Sequence, residues 1–298
     1  MKSLSGKYLN QPTTMKFTVK ASVQETNNPL YVIQVSGKYG YMNKSGEIII
    51  TPKYVDASNH LYNETEDLAA VAVDKESWGY IDKQGNISID FKYKAAGEFS
   101  EGLAQVQNQN RKTGYINKTG DTVIPFQYDR AKSFSNGLAP VLLNEKWGYI
   151  DKANKVVIDF KYEDAEGFAE GLLPVMKNGQ WGFINTSGKT IIDFQFDLAY
   201  GFGEGLASVK KGDLWGYIDT TGKFVIEPQY TNAYLFSEGL ANVDKNGKFG
   251  FINKDNEMII KEQYDRAISF QNGLSRIKLG DKWGYINTMG EVIYHPTN

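Results

Sequence analysis

A Trp-Gly pair at Trp147-Gly148 returns at a nearly fixed interval along this chain. Equivalent positions are Tyr39, Trp78, Thr113, Trp147, Trp181, Trp215, Phe249 and Trp283, each followed by glycine, and the steps between them are 39, 35, 34, 34, 34, 34 and 34 residues. Such a period means one supersecondary unit copied eight times. A single copy cannot stand alone, because chains below ~40 residues bury too little surface to fold unaided. Stacked neighbours must supply the missing core. The chain therefore reads as one repeat domain over 29–298, preceded by an N-terminal extension, 1–28.

The flanks of the anchor repeat as well. Aromatic-Ile-Asp/Asn follows it, as in Tyr80-Ile81-Asp82, Tyr149-Ile150-Asp151 and Phe183-Ile184-Asn185. A turn usually ending in glycine comes next (Gly46, Gly85, Gly120, Gly188), then a β-branched run such as Val156-Val157-Ile158. An aromatic then stands three residues before Ala (Tyr128/Ala131, Tyr162/Ala165, Phe196/Ala199), and Phe three residues after it (Phe99, Phe134, Phe202, Phe236). Residues 138–143, 146–151 and 155–160 have strand length and strand composition. Asp or Asn at the start of the turn can bond back to the backbone, with glycine in the left-handed position. The threefold spacing of aromatic, Ala and Phe predicts a short 3₁₀ or helical turn. Each unit is thus expected to be a three-stranded meander closed by a capping turn. The 19 Tyr, 16 Phe, 5 Trp and 30 Gly suit that mixture of short strands and tight turns.

Alternation puts Trp147 and Tyr149 on one face of the strand and Gly148 and Ile150 on the other. Glycine beside every anchor marks a close approach by a neighbour. Pro140 and Pro174 lie inside first strands, and their missing N–H predicts an edge or a bulge there.

Eight equal units can build an open superhelix or a closed ring. Propeller blades carry four strands in ~40–45 residues, and these units read as one strand short. The array opens with a first strand near 31–35 and closes with a third strand near 291–294, and no split blade is visible to latch a ring. The expected fold is therefore all-β, an open solenoid of eight three-stranded meanders, with a closed propeller-like ring as the alternative. Open ends need cover against edge pairing. Met15–Gln24 alternates and is the candidate capping strand, while His295-Pro296 terminates the last strand.

The recurring Lys-Trp-Gly-Tyr-Ile-Asp/Asn, seen at Lys146–Asp151 and within Lys282–Gly290, resembles the bacterial WG-repeat (KWG) family over residues 29–294. Tyr39, Thr113 and Phe249 depart from it at the anchor. The resemblance implies a bacterial all-β repeat array with binding or interaction roles and no shared catalytic residues.

The chemistry of an enzyme is hard to assemble here. His60, in an insertion of the first unit, and His295, at the tail, are the two histidines, and they share no ligand or triad spacing. No phosphate-binding or dinucleotide glycine motif is present, and the absence of cysteine removes disulfides and thiolate chemistry. Asp82, Asp151 and Asp219 offer one carboxylate per unit, whereas calcium needs about six to eight oxygens, so they are read as turn formers. No cofactor and no metal are expected. A net charge of −2 from 33 basic and 35 acidic residues gives no pull toward nucleic acid. No run of about eighteen apolar residues predicts membrane insertion. Residues 1–28 lack an apolar signal core, which reads as a cytoplasmic start unless an export signal was removed upstream.

What is left is a non-catalytic binding scaffold. The first expectation is a protein partner on the extended surface, contacted by positions that differ among units, such as Gln105-Val106-Gln107 against Asn242-Val243-Asp244. The alternative is cell-envelope carbohydrate stacked on exposed aromatics. The anchors Tyr39, Trp78, Trp147, Trp181, Trp215, Phe249 and Trp283 are read first as core filler and second as ligand platforms. His60, Tyr62, Glu64 and Asp67 cluster in the first-unit insertion, which reads as a surface loop.

Core filling has a measurable consequence. A tryptophan buries ~150–250 Å², so Trp181→Ala in a middle unit should cost ~3–5 kcal/mol in denaturant unfolding. A loss below ~1 kcal/mol would place that ring in solvent.

Overall fold

A computed structural model describes residues 29–58 and 67–295. Met15–Gln24, His60, Tyr62, Glu64 and Pro296 lie outside the described residues. The described chain forms eight antiparallel sheets in sequence order, seven of four strands and one of three. The fourth sheet shows the pattern: Arg130–Ala131, Leu138–Leu143, Lys146–Asp151 and Val156–Tyr162 pair side by side in that order. The extra strand is the very short one. It has two residues in six sheets and runs over Leu198–Gly203 in the sixth.

Local chemistry sets the connections. Ser-Glu/Asn-Gly-Leu joins the short strand to the second one, with both central residues at positive φ: Asn136 at 49° and Gly137 at 78°, Glu238 at 55° and Gly239 at 81°. This mirror-image turn matches the twist of a hairpin. Between the third and fourth strands, Asp151 Oδ1 accepts the N–H groups of Ala153 and Lys155, and Asp219 accepts those of Thr221 and Lys223. Those carboxylates are committed to their own turns.

Glycine beside each anchor governs the fourth strand. Trp147 pairs with Tyr162 but Tyr149 pairs with Ile158, so two steps on the third strand face four on the outer one. A Cβ on Gly148 would stand 2.7 Å from the Ile158 carbonyl oxygen, and one on Gly216 would stand 2.5 Å from that of Ile226. The outer strand bulges over the bare glycine, a bend that re-aims its end. That end runs straight into the short strand of the next sheet: Tyr162 closes one and Asp164 opens the next.

Neighbouring sheets pack face to face through the same residues each time. Trp147, Tyr149, Ile158 and Tyr162 of the fourth sheet meet Ala165, Leu173, Val175 and Ile184 of the fifth. Gly148's strand neighbour Ile150 points the other way, into the core shared with the third sheet. In four blades the buried tyrosine after the anchor donates its hydroxyl to a backbone carbonyl of the next short-strand segment: Tyr80 to Gly97, Tyr115 to Lys132, Tyr149 to Glu166 and Tyr217 to Tyr234. The ring at this position, tyrosine or phenylalanine, sits 4.7–5.2 Å from a phenylalanine of the next unit in Tyr115–Phe134, Tyr217–Phe236, Phe183–Phe202 and Phe251–Phe270. Such pairs are worth ~0.5–1.5 kcal/mol each beyond the area they bury. Pro140 and Pro174 are tolerated in internal strands because the carbonyls opposite, those of Lys132 and Glu166, are taken by the tyrosine hydroxyls of the preceding sheet.

The last sheet then meets the first. Tyr285 donates to the Val32 carbonyl at 2.7 Å, Tyr31 donates to the Asn272 carbonyl at 2.9 Å, and their rings meet edge-on at 5.7 Å. Leu274 and Tyr285 share one core with Leu30, Val32, Ile33 and Met42. The array is thus a closed eight-bladed propeller, which overturns the open solenoid. The three-stranded unit is corrected with it. The threefold spacing of Tyr162, Ala165 and Phe168 comes from a bend and a two-residue strand, not a helical turn. Among the described residues no strand is shared between the two ends; side chains meet across the closure at the first blade, whose sheet has three described strands (Tyr31–Val35, Lys38–Met42, Ile48–Tyr54).

Gly216→Ala should lower stability by ~1–3 kcal/mol, because backbone and not a yielding side chain occupies the space. Wild-type stability within error of the variant, in urea unfolding, would remove the bulge from this account. The tyrosines set a pH limit. Burial pushes Tyr80, Tyr149 and Tyr217 well above the usual phenol range and Tyr31 up to about 12, the last aided by Glu238. Unfolded tyrosines titrate near ~10. A raised folded-state value contributes stability in full below that pH and loses it as pH climbs toward the folded value. The ring should therefore hold to about pH 10 and unfold between roughly 10 and 12. Circular dichroism recorded alongside phenolate absorbance tests this; full tyrosine ionisation in a still-folded ring contradicts it.

Candidate functional site at the ring axis

Two open cavities show where the blades converge. One, of about 710 Å³, touches the short strands of blades 2, 7 and 8 at Asp56-Ala57, Asn232 and Arg266-Ala267, together with Tyr39 of blade 1. The other, of about 420 Å³, touches those of blades 3, 4 and 5 at Ala95-Ala96, Arg130-Ala131 and Asp164. One cavity in contact with the short strands of several blades locates those strands at the axis. The long outer strands form the rim, where Ile49, Ile87, Val123, Val157, Ile191 and Val225 are exposed.

The axial walls are built from positions that do not repeat. Opposite the tyrosine of each blade, the second strand varies from Val32 and Ala70, which are core residues, through Pro140 and Ser208 to Gln105, Asn242 and Arg276, and the last three line the cavities. Gln105 and Gln107 line the smaller cavity and Asn242 the larger, so the variable segments singled out in the sequence do meet the axis. Short-strand residues vary as widely, from Asp164 and Leu198 to Asn232 and Arg266. The core behind them barely changes.

Each cavity has its own chemistry. In the smaller, Lys132 lies 2.8 Å from Glu166 and 3.9 Å from Asp164, with its ammonium 5.2 Å from the Trp147 ring centre. Its charge is met within the wall. Thr113, the one small residue at an anchor position, lines this cavity. In the larger, Asn242 donates to the Ala267 carbonyl and accepts from Ser269, while Asn232 donates to Asp244. Tyr200 stacks on Trp215 at 5.1 Å and on Tyr234 at 5.9 Å, and Tyr234 meets Phe249 at 6.0 Å. Arg276 is buried, its guanidinium 4.3 Å from the centre of Trp283. Burial lowers its pKa.

The anchors divide. Trp147, Trp181 and Trp215 are buried at 3–6% exposure, while Tyr39, Trp78, Phe249 and Trp283 are half-buried; Tyr39, Phe249 and Trp283 reach the larger cavity. His295 is exposed, and Asp67 pairs with Lys118. Among the described residues no group of three His, Cys, Asp or Glu converges as a metal site, and no helix is long and apolar enough to cross a membrane.

One feature of the opposite kind escaped the sequence reading. Glu170, Glu204 and Glu238 hold the left-handed conformation in their turns, and each carboxylate accepts the N–H of the turn glycine one blade on: Gly205, Gly239 and Gly273. Burial alone would raise the Glu204 carboxyl, but the Gly239 N–H and Lys254 outweigh it and hold it below the usual range. The signal was the Glu-Gly ahead of the closing Leu in four units, at Glu101, Glu170, Glu204 and Glu238, which looks like ordinary turn composition until the ring sets the turns side by side.

Solved structures share the fold at low identity. The chain is 11% identical to the dihydro-heme d1 dehydrogenase NirN, covering 94% of this chain and 75% of that one with a TM-score of 0.60. It is 9% identical to the computationally designed Ika8 protein (78% and 86%, TM-score 0.55) and 11% identical to BamB from Moraxella catarrhalis (83% and 92%, TM-score 0.51). No curated protein matches the sequence. A family model described as a WG containing repeat matches eight times, at residues 39–75, 78–112, 114–147, 147–181, 181–215, 215–249, 249–283 and 283–297. The chain belongs to the WG-repeat family.

Proposed function

We propose that this propeller is a non-catalytic scaffold that holds a segment of a protein partner at the ring axis. The observation that carries the reading is the segregation of sequence variation. Residues that pack blade on blade are nearly identical from unit to unit, and those around the axial cavities differ in size, polarity and charge. A surface selected only for solubility has no reason to diversify where eight units converge. Cavities of ~300–1,000 Å³ are the usual size for recognition of small groups or side chains. Amide and carboxylate groups beside aromatic rings suit the mixed chemistry of a peptide loop. Among carbohydrate platforms, Trp147, Trp181 and Trp215 are already covered by neighbouring blades, which favours the protein partner.

Photo-crosslinking separates the axis from the rim. A benzophenone amino acid at Gln107 or Arg130 should capture a discrete protein from source-cell extract, whereas one at Val123 or Val225 should not. Capture from the rim alone would reverse this assignment.

A further inference from the structure

Blade 3 is cut back where its neighbours are full. The other short strands begin with Asp, Arg, Leu or Asn, and that of blade 3 begins with Ala95. Two residues on, the other blades have Ser, Lys, Glu, Tyr or Ile, and blade 3 has Gly97. At the anchor, seven units carry a ring and blade 3 carries Thr113. All three positions line the smaller axial cavity, of about 420 Å³. One truncation would leave a dent; three on a single wall leave a recess.

The same positions elsewhere show what the recess lacks. In blade 6 Tyr200 stacks on the anchor Trp215, with ring centres 5.1 Å apart and planes 8° from parallel. In blade 4 the Lys132 ammonium stands 5.2 Å from the ring centre of the anchor Trp147. The residue that corresponds to Gly97 therefore covers the anchor ring of its own blade, and blade 3 has neither ring nor cover. Gln105 reaches into part of the space, because a Cβ on Gly97 would stand 2.1 Å from its Nε2. Its Oε1 accepts the Ser133 hydroxyl at 3.3 Å. That amide is the far end of a side chain with several staggered rotamers, so a ligand group can displace it.

Charge narrows the choice of ligand group. Arg130, Lys132 and Asp164 line the cavity, and Glu166 holds Lys132 at 2.8 Å, so two cations stand against two carboxylates. Such a wall is complementary to an uncharged group. Trp147 lines the same cavity, and aromatic rings pair favourably with other rings at centre distances of about 4.5–7 Å.

The geometry points to a pocket for an aromatic side chain in blade 3: a Phe, Tyr or Trp of the partner segment takes the place that the anchor ring fills in the other seven units. Gln105 stands at its edge as a polar contact. This rests on the reading of the propeller as a protein-binding scaffold and specifies the partner's chemistry.

The test titrates the full chain with N-acetyl-tryptophanamide and N-acetyl-leucinamide, with binding read by saturation-transfer NMR of the probes. The tryptophan amide should bind saturably and at least tenfold more tightly. Thr113→Trp restores the ring of the other units and should weaken that binding tenfold or more. Val225→Trp, on the rim, should leave it unchanged. If circular dichroism shows Thr113→Trp unfolded, Ala95→Leu decides by the same loss, since blade 6 has Leu198 at that position. Equal affinity for the two probes, or wild-type affinity in the filled variant, overturns the pocket. Capture of a partner from Gln107 together with such a failure leaves the scaffold reading standing and removes only this assignment.

Discussion

The ring depends on a carbonyl oxygen lying where a methyl group would otherwise be. In each of the first seven blades glycine follows the anchor and the outer-strand backbone closes over it, with the Ile158 oxygen 2.7 Å from the empty Cβ position of Gly148. Because the outer strand then spends four residues against two, it bends as it ends. The bend delivers the chain to the axis of the next blade and presents Tyr162 to the core between the two. A plain ladder would have continued the strand outward. The anchor ring and the glycine are therefore one device: the ring fills the gap between blades, and the glycine steers the chain that makes the next blade.

Closure follows from repetition of a bond. A tyrosine hydroxyl reaches forward to the next unit's inner backbone, from Tyr80, Tyr115, Tyr149 and Tyr217, and at the last blade Tyr285 makes the same reach to Val32. In the first blade the acceptor is Val32, on Tyr31–Val35, and not a short-strand carbonyl. Each interface is like its neighbours, so stability is close to a sum of similar terms, with closure adding one more interface of the same kind.

Much of this was legible in the sequence, and what was not has physical reasons. The period, the third-to-fourth strand turns and the opposed faces of Trp147 and Ile150 follow from spacing and alternation, which are local. Arg130–Ala131 was not legible as a strand, because two residues carry no alternation and the threefold spacing of Tyr128, Ala131 and Phe134 imitates a helical turn. Missing it made each unit seem one strand short and favoured the open array. Closure was hidden because Tyr31 and Tyr285, 254 positions apart, are unremarkable until brought together. The axial site left still less trace: Gln105, Asn242 and Arg276 are marked only by breaking the repeat.

The closed ring changes what that variation can do. In an open array, positions about thirty-four residues apart would be spread along a surface, and each would meet a different part of a partner. Closed, the inner strands meet around one axis, and Asn232, Arg266 and Asp56 from three blades line a single cavity. Eight copies of one unit can then build an asymmetric site without disturbing the packing that holds them, because core and axial residues lie at separate positions of the unit. Blade 8 illustrates the separation: Ile277 and Ile286 fill the same core as their counterparts elsewhere, while Arg276, between Ser275 and Ile277 on the same strand, turns its charge toward the axis. Strand alternation places Ile277 on the opposite face from Arg276, which shares its own face with the core residues Leu274 and Tyr285.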